Sequence, residues 1–340
     1  MSSPILIWGA GAIGGVIGAK LSQSGLDITL VDVHTGHVAA IRDPEKGLRI
    51  TGPVSPITVS MSAFTPEELV GSWQRIILAV KAQYTEEACH QIMPYLRDDG
   101  FVASFQNGLC EDIVGRILGP ERVIGAFVNF GADWVQPGEI LYGNRGAIAI
   151  GETDGQITQR VRDLHADIQL FEPEAVLTTN IDGFLWGKLA YGSMLFAQAV
   201  GQQGIAECLE RPDLLGLWRR LIGEIVRIAH AAGVEVVGFD GFDPNAFAAG
   251  ASEQDAKRCI AAMVAFNRPN AKTHSGVWRD LVVRKRPVEM DMLKGPAEEG
   301  RRRNIPCPIL DRLIVMIDQI ERGGRVNDDQ NLSELAKCLV

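Results

Sequence analysis

Short apolar runs separated by helix-period segments fill the first half of the chain. Ile5-Leu6-Ile7-Trp8 leads into a glycine-rich turn, then Val16, Ala19 and Leu21 recur at helical spacing, and a second run, Ile28-Thr29-Leu30-Val31, ends in Asp32. Further runs at 57–59, 75–80, 101–104, 123–126, 139–141 and 147–150 alternate with helical patterns. Continuous apolar runs of this kind are strands buried on both faces, so the pattern predicts an α/β unit with a doubly wound, mainly parallel sheet, closed by a few antiparallel strands. From about Asn180 the strand signal stops. Leu214, Leu217, Leu221, Ile225 and Ile228 recur at helical spacing, as do Leu310, Leu313, Ile317 and Ile320, which predicts an all-helical C-terminal domain. The boundary is expected near Thr178, giving domains 1–178 and 179–340, and the turn-rich stretch 238–244 is expected to be a surface loop.

The turn after the first run reads Gly9-Ala10-Gly11-Ala12-Ile13-Gly14. Strand, G-x-G-x-x-G, helix, strand and acid in that order are the first βαβ unit of a Rossmann-type dinucleotide-binding domain. Gly9 is expected to make the tight turn and Gly11 to let the backbone approach a pyrophosphate. Gly14 is expected to allow close helix–strand packing, which aims the helix N-terminus at the anion.

Composition narrows the alternatives. An apolar content of 46%, with 22% charged residues, is that of a soluble globular protein, and the net charge of −9 argues against a nucleic-acid surface. The uncharged stretch 4–19 is too short and too glycine-rich for a membrane span. No targeting segment is read, so a cytoplasmic location is expected. Six scattered cysteines without metal-ligand spacing suggest neither a metal site nor a disulfide framework.

Candidate chemistry then falls at four places. Lys81 and Asn107 follow the runs 75–80 and 101–104, at the carboxyl ends of strands where open α/β sheets bind ligands. Lys188, in Trp186-Gly187-Lys188, is the one cation of an apolar helix; Phe184, Leu185, Tyr191, Gly192 and Leu195 would desolvate it and lower its pKa toward general-acid range. Glu289 lies in Arg286-Pro287-Val288-Glu289-Met290-Asp291, at the head of another predicted helix.

Together these motifs, in this order, resemble the ketopantoate reductase family, the 2-dehydropantoate 2-reductases. The resemblance runs through nearly the whole chain. It implies that Lys188 is the general acid that protonates the ketone oxygen, and that Asn107 touches nicotinamide and substrate. It further implies that Lys81 is a second polar group at the cofactor and that Glu289 helps to hold Lys188 and the substrate. The chain also departs from the family pattern. Asparagines usually follow the lysine at four-residue intervals, where this chain has Gly192 and Phe196, and the family's serine pair appears as Ser275-Gly276. The stretch 280–289 is one residue longer than usual. His274 and Ser275 are the candidate replacement contacts to the substrate, and loss of the amides implies a roomier, more apolar wall.

The expected activity is therefore NAD(P)H-dependent reduction of a 2-keto acid to a 2-hydroxy acid. NADH is favoured over NADPH, because Asp32 suits a free ribose 2′-hydroxyl and no arginine adjoins it, Val33, His34 and Arg42 being the nearest positions. The alternatives are a related hydroxy-acid dehydrogenase of a catabolic route and a non-catalytic nicotinamide-sensing regulator. The expected partner is a small keto or hydroxy acid, with no nucleic acid and no membrane; a homodimer is allowed without being read from any residue.

Overall fold

The computed structural model describes residues 3–269 and 273–337, and divides into two compact units, Met1–Ile181 and Asp182–Val340. The boundary expected at 178 lies just ahead of the first helix of the second unit.

In the first unit, strands β1 (Ile5–Trp8), β2 (Ile28–Val31), β3 (Leu48–Thr51), β4 (Ile57–Val59), β5 (Ser62–Phe64), β6 (Trp73–Leu78), β7 (Leu96–Ser104), β8 (Val123–Val128), β9 (Gly131–Gln136), β10 (Glu139–Asn144), β11 (Ile148–Glu152) and β12 (Val176–Leu177) form two sheets. The larger has the order β12-β11-β8-β7-β6-β1-β2-β5 and is parallel except where β11 runs antiparallel to β8. Helices α1 (Ala12–Gln23), α2 (Thr35–Arg42) and α5 (Gln159–Gln169) bury one set of strand residues, including Ile5, Ile7, Leu30 and Ile77. The alternate residues Leu6, Trp8, Ile76 and Leu78 pack with α3 (Thr85–Ile92) and α4 (Glu111–Leu118). Both faces are thus covered, which is why these strands read as continuous apolar runs.

The runs at 57–59 and 139–141, expected to extend or close the main sheet, instead build a separate sheet of order β4-β3-β10-β9. Its strands β3 and β9 leave no clear trace in the sequence, because Leu48-Arg49-Ile50-Thr51 is only four residues long and β9 is half-exposed or exposed throughout. Such strands are fixed by pairing with a neighbour rather than by their own pattern.

The second unit contains α6 (Ile181–Ala199), α7 (Ile205–Leu209), α8 (Leu215–Ala231), α9 (Glu253–Asn267), α10 (Gly276–Trp278), α11 (Asp291–Arg302), α12 (Pro308–Glu321) and α13 (Gln330–Lys337). Buried Glu224 of α8 accepts hydrogen bonds from the first amides of α12, Ile309 N at 3.2 Å and Leu310 N at 2.9 Å, satisfying donors that a helix start leaves open. The stretch 238–244 is only partly the surface loop expected of it. Asp240 and Gly241 make a left-handed turn (φ 47° and 83°), while Phe239 and Phe242 are buried and pack their rings 5.7 and 5.5 Å from that of Tyr191. Among the described residues, no helix is long and apolar enough to cross a membrane.

Under the large sheet, Arg75 of β6 is 6% exposed and pairs with Asp167 of α5 while also donating to the Ser3 carbonyl. Removing one partner of a buried ion pair strands the other charge. Asp167→Ala is therefore expected to destabilise the first unit by about 3 kcal/mol, read as a lowered urea midpoint, whereas Val315→Ala on the exposed face of α12 leaves the midpoint nearly unchanged.

Candidate active site

β1 lies between β2 and β6, and the chain winds outward from it in both directions, so its C-terminal end is the topological switch point of the sheet. Gly9 stands there at φ +101°, and an added Cβ would lie 2.9 Å from the backbone of Ala79 and Val80. At Gly14 a Cβ would lie 2.0 Å from the Gly9 carbonyl oxygen, so α1 presses directly onto the turn. Gly11 is different: among the described residues, a Cβ would meet no atom within 4 Å beyond its own chain neighbours. The turn is therefore tight on its protein side and open at Gly11, beside the first-turn amides that α1 leaves without an intrahelical acceptor. These residues fit a dinucleotide pyrophosphate. Asp32, just past β2, accepts from Ala10 N at 3.0 Å and from His34 N at 2.9 Å. Val33 beside it is 75% exposed, and the Arg42 guanidinium is held by Glu68 at 3.2 Å.

Lys81 and Asn107 share the same rim. Leu78 of β6 and Ser104 of β7 are paired in register, and each of the two polar residues follows its strand by the same short interval. Gln106, 3% exposed, donates from Nε2 to the Val80 carbonyl at 3.0 Å and to Thr85 Oγ1 at 2.9 Å, which ties the two loops together. Gly108 at φ +93° completes the turn.

In the second unit α6 is apolar on all sides, with Phe184, Leu185, Leu189, Ala190 and Met194 buried, and Lys188 is its one cation. Gly187 is required by its neighbour: a Cβ would lie 2.2 Å from the Val237 carbonyl oxygen, and Val237 N donates to the Gly183 carbonyl at 2.9 Å. Burial pushes the Lys188 ammonium from its ordinary range near 10.5 down to about 8, and the negative charge of Glu289 opposes that shift. One turn on, a Cβ built at Gly192 would, among the described residues and apart from the backbone of α6 itself, come within 4 Å of the Met292 methyl alone, at 3.0 Å. The roomier wall expected from the missing amide is therefore not open space, because the methionine fills it. The segment 289–292 thus meets α6 twice, with Glu289 acting on Lys188 and Met292 covering Gly192.

The remaining candidates are placed as follows. Phe196 is 1% exposed, inside the helical core. Ser275, 3% exposed, accepts from Trp278 N at 3.1 Å and caps α10. The His274 ring lies 4.1 Å from that of Trp278, and its Nε2 is 3.0 Å from the Gln202 carbonyl oxygen. Residues Arg279–Val283 form a π turn, closed by Arg284 N donating to the Arg279 carbonyl at 2.8 Å. The turn coincides with the stretch read as one residue too long. Three side chains escaped the sequence: Gln106 as a tie, Met292 because only folding brings it to Gly192, and His37, whose spacing from His34 at the start of α2 was the one available signal.

A glycine turn at a sheet switch point, an acid ending β2 and a separate helical unit with a desolvated lysine define a dinucleotide-dependent oxidoreductase. The family model for ketopantoate reductase PanE/ApbA matches residues 5–155, and its C-terminal counterpart matches 180–321. The chain is 26% identical to the 2-dehydropantoate 2-reductase of Mesorhizobium japonicum, over 94% of this chain and 98% of that one, and 25% identical to the enzyme of that name from Archaeoglobus fulgidus, with the same coverage. Among solved structures, D-mandelate dehydrogenase with NADH and anilino(oxo)acetate superposes with a TM-score of 0.81 at 20% identity, covering 94% of this chain and 99% of that one. A PanE/ApbA family ketopantoate reductase from Ralstonia eutropha gives 0.78 at 23% identity, with the same coverage. The chain belongs to the ketopantoate reductase family, and with it to the NAD(P)-dependent oxidoreductases.

The depressed Lys188 pKa has a thermodynamic sign. Folding favours the neutral amine, so the protonated form opposes folding fully below about pH 8, and the penalty fades as pH rises from about 8 toward 10.5. Lys188→Met removes it. At pH 7 this variant is expected to be more stable than the parent by up to about 3 kcal/mol, with the difference shrinking by pH 10; equal melting temperatures at pH 7 would show that the ammonium is well solvated.

Proposed function

We propose that the chain is an NADH-preferring reductase of a 2-keto acid whose substituent is larger or less polar than that of ketopantoate, with Lys188 as the general acid. The observation that carries this is the α6 stripe: a lysine with its pKa pushed to about 8 by burial, followed one turn later by a glycine under a methionine methyl. The cofactor, when bound, supplies the hydride. As charge develops on the keto oxygen, the Lys188 ammonium stabilises it and then donates its proton. Glu289 favours the charged form of the lysine, keeping it protonated at neutral pH despite its surroundings. Asn107 and Lys81, on the rim of the first unit, are assigned to the nicotinamide end.

The substrate side of the proposal rests on chemistry that is missing. An amide at position 192 would offer hydrogen bonds to a hydroxylated substrate, whereas glycine and methionine offer none. Methionine is unbranched and polarizable, so it adapts to apolar groups of different shape. The D-mandelate dehydrogenase with a similar fold is a relative that handles an aryl-substituted acid, which supports an aryl or branched alkyl substituent here. The NADH preference rests on Asp32, on exposed Val33 and on the engagement of Arg42 by Glu68, which leaves no arginine for a 2′-phosphate beside the strand end. The same lysine, neutral above about pH 8, accepts the proton in the oxidative direction, so one site serves reductase and dehydrogenase alike. A sensor without catalysis has no use for a lysine whose burial opposes folding.

Lys188→Ala is expected to lower kcat at least ~100-fold with cofactor binding retained. In the parent enzyme, reductive kcat should be flat below about pH 8 and fall above it, while the oxidative rate rises through the same pH. Near-normal turnover of the variant would remove Lys188 from the chemistry.

Substrate choice has its own test. The parent should reduce aryl or branched 2-keto acids with a higher kcat/KM than ketopantoate, and Gly192→Asn should move that ratio toward ketopantoate by roughly 10- to 100-fold. Met292→Ala in the same chain gives the new side chain room and should enlarge the shift. A parent that prefers ketopantoate to every other acid tested would overturn the substrate assignment and leave the lysine untouched.

A further inference from the structure

Four residues around the glycine turn form a closed ring of hydrogen bonds. Ala10 N donates to Asp32 Oδ2 at 3.0 Å, and His34 N donates to Asp32 Oδ1 at 2.9 Å. His37 N then donates to His34 Nδ1 at 3.2 Å, and the ring closes where His37 Nε2 meets the Ala10 carbonyl oxygen at 2.8 Å. Ala10 is thus gripped through both its N–H and its C=O. A fifth bond leaves the ring: Gly138 N, in the β9–β10 hairpin, donates to His37 Nδ1 at 2.9 Å. The His37 ring is 0% exposed, with the Trp134 ring edge-on at 6.0 Å.

These partners dictate the state of the imidazole. An amide N–H points at Nδ1, so Nδ1 must carry its lone pair, and the ring proton sits on Nε2, where it meets a carbonyl oxygen. No other protonation state satisfies both neighbours. His37 is fully enclosed by protein, so it cannot itself touch a dinucleotide. Its side-chain partners are the carbonyl of the second residue of the glycine turn and the Gly138 amide, and the carboxylate at the end of β2 is reached only through the N–H of that same turn residue. Asp32 has about four acceptor positions, of which the ring occupies two, leaving capacity for ribose hydroxyls.

We infer that His37 is the positioning residue of the cofactor site, locking the Ala10 peptide of the glycine turn and anchoring it to the β9–β10 hairpin. The inference rests on the glycine turn being where NAD(P)H binds. Without the imidazole, the turn must be ordered at the moment of binding, which weakens affinity without touching the chemical step. The imidazole grips the turn rather than the carboxylate, and the pyrophosphate contact is common to both cofactors, so NADH and NADPH lose affinity alike.

The test is direct binding of NADH and NADPH, followed by fluorescence, to the full-length parent, His37→Phe and His37→Gln. Glutamine keeps an N–H that can reach the Ala10 carbonyl. His37→Phe is expected to weaken NADH and NADPH alike, each about 10-fold, the scale of one or two lost hydrogen bonds. His37→Gln should recover a clear part of the loss, and kcat at saturating cofactor should stay within about twofold of the parent. Nitrogen-15 spectra of the parent's histidine rings give a readout that needs no variant, and should show the His37 imidazole with its proton on Nε2 rather than Nδ1. Unchanged NADH affinity in His37→Phe, equal losses in both variants, a fall confined to kcat, or a proton on Nδ1 of His37 would each overturn the inference. Gly11→Val separates this from the underlying assumption: a Cβ there meets no atom of the described residues beyond its own chain neighbours, so loss of cofactor binding in that variant upholds the turn as the binding site whatever His37 does.

Discussion

Gly14 approaches the Gly9 carbonyl so closely that a methyl group would sit 2.0 Å from the oxygen, and the architecture of the first unit accommodates that approach. Because α1 lies flat against the end of β1, its N-terminal amides come to the rim of the sheet at the switch point. β2 then delivers Asp32 to the same rim, and β6 and β7 deliver Lys81 and Asn107 beside it. None of these polar groups is near another in sequence. The parallel register brings them to one edge, so the sheet is the device that positions them.

How much of this was legible depended on whether a constraint is local. The βαβ unit around Gly9, Gly11 and Gly14 imposes its demands within thirty-odd residues, and its strands are buried on both faces, so pattern and structure agree there. The second sheet is another matter. Its strands are short and half-exposed, and β9 has no alternation at all, so nothing in the sequence separates 139–141 from the strands of the main sheet. Phe239 and Phe242 were hidden by the glycines and aspartates around them, which mark a turn correctly but say nothing about which side chains the turn folds inward. Met292 was beyond reach for a different reason. Its methyl occupies the space beside Gly192, a hundred positions earlier, and no periodicity encodes a contact of that separation.

The helical unit sets stability against chemistry. α6 would be an ordinary buried helix if position 188 were apolar, and Gly187 shows how tightly its surroundings are drawn, with the Val237 carbonyl occupying the space of a side chain. Burial lowers the pKa of a lysine in that position, and the charge of Glu289 opposes the shift, leaving it at about 8. The two opposing influences leave the ammonium titrating close to working pH, which neither a solvated lysine nor a fully paired one would do.

The π turn at Arg279–Val283 bears on where an extra residue is taken up. Inserting one residue into a regular α-helix rotates everything beyond it by about 100°, which would swing any downstream side chain off its target. A π turn takes up the extra residue as a local bulge, and Lys285 at φ 49° then redirects the chain before Glu289 is reached. The helix ends at Val283, and an irregular stretch carries the chain from there to Glu289 and the start of α11. The bulge and the left-handed turn thus lie wholly ahead of the residues that meet α6, so the irregular backbone and the contacts of Glu289 and Met292 occupy separate stretches of the chain.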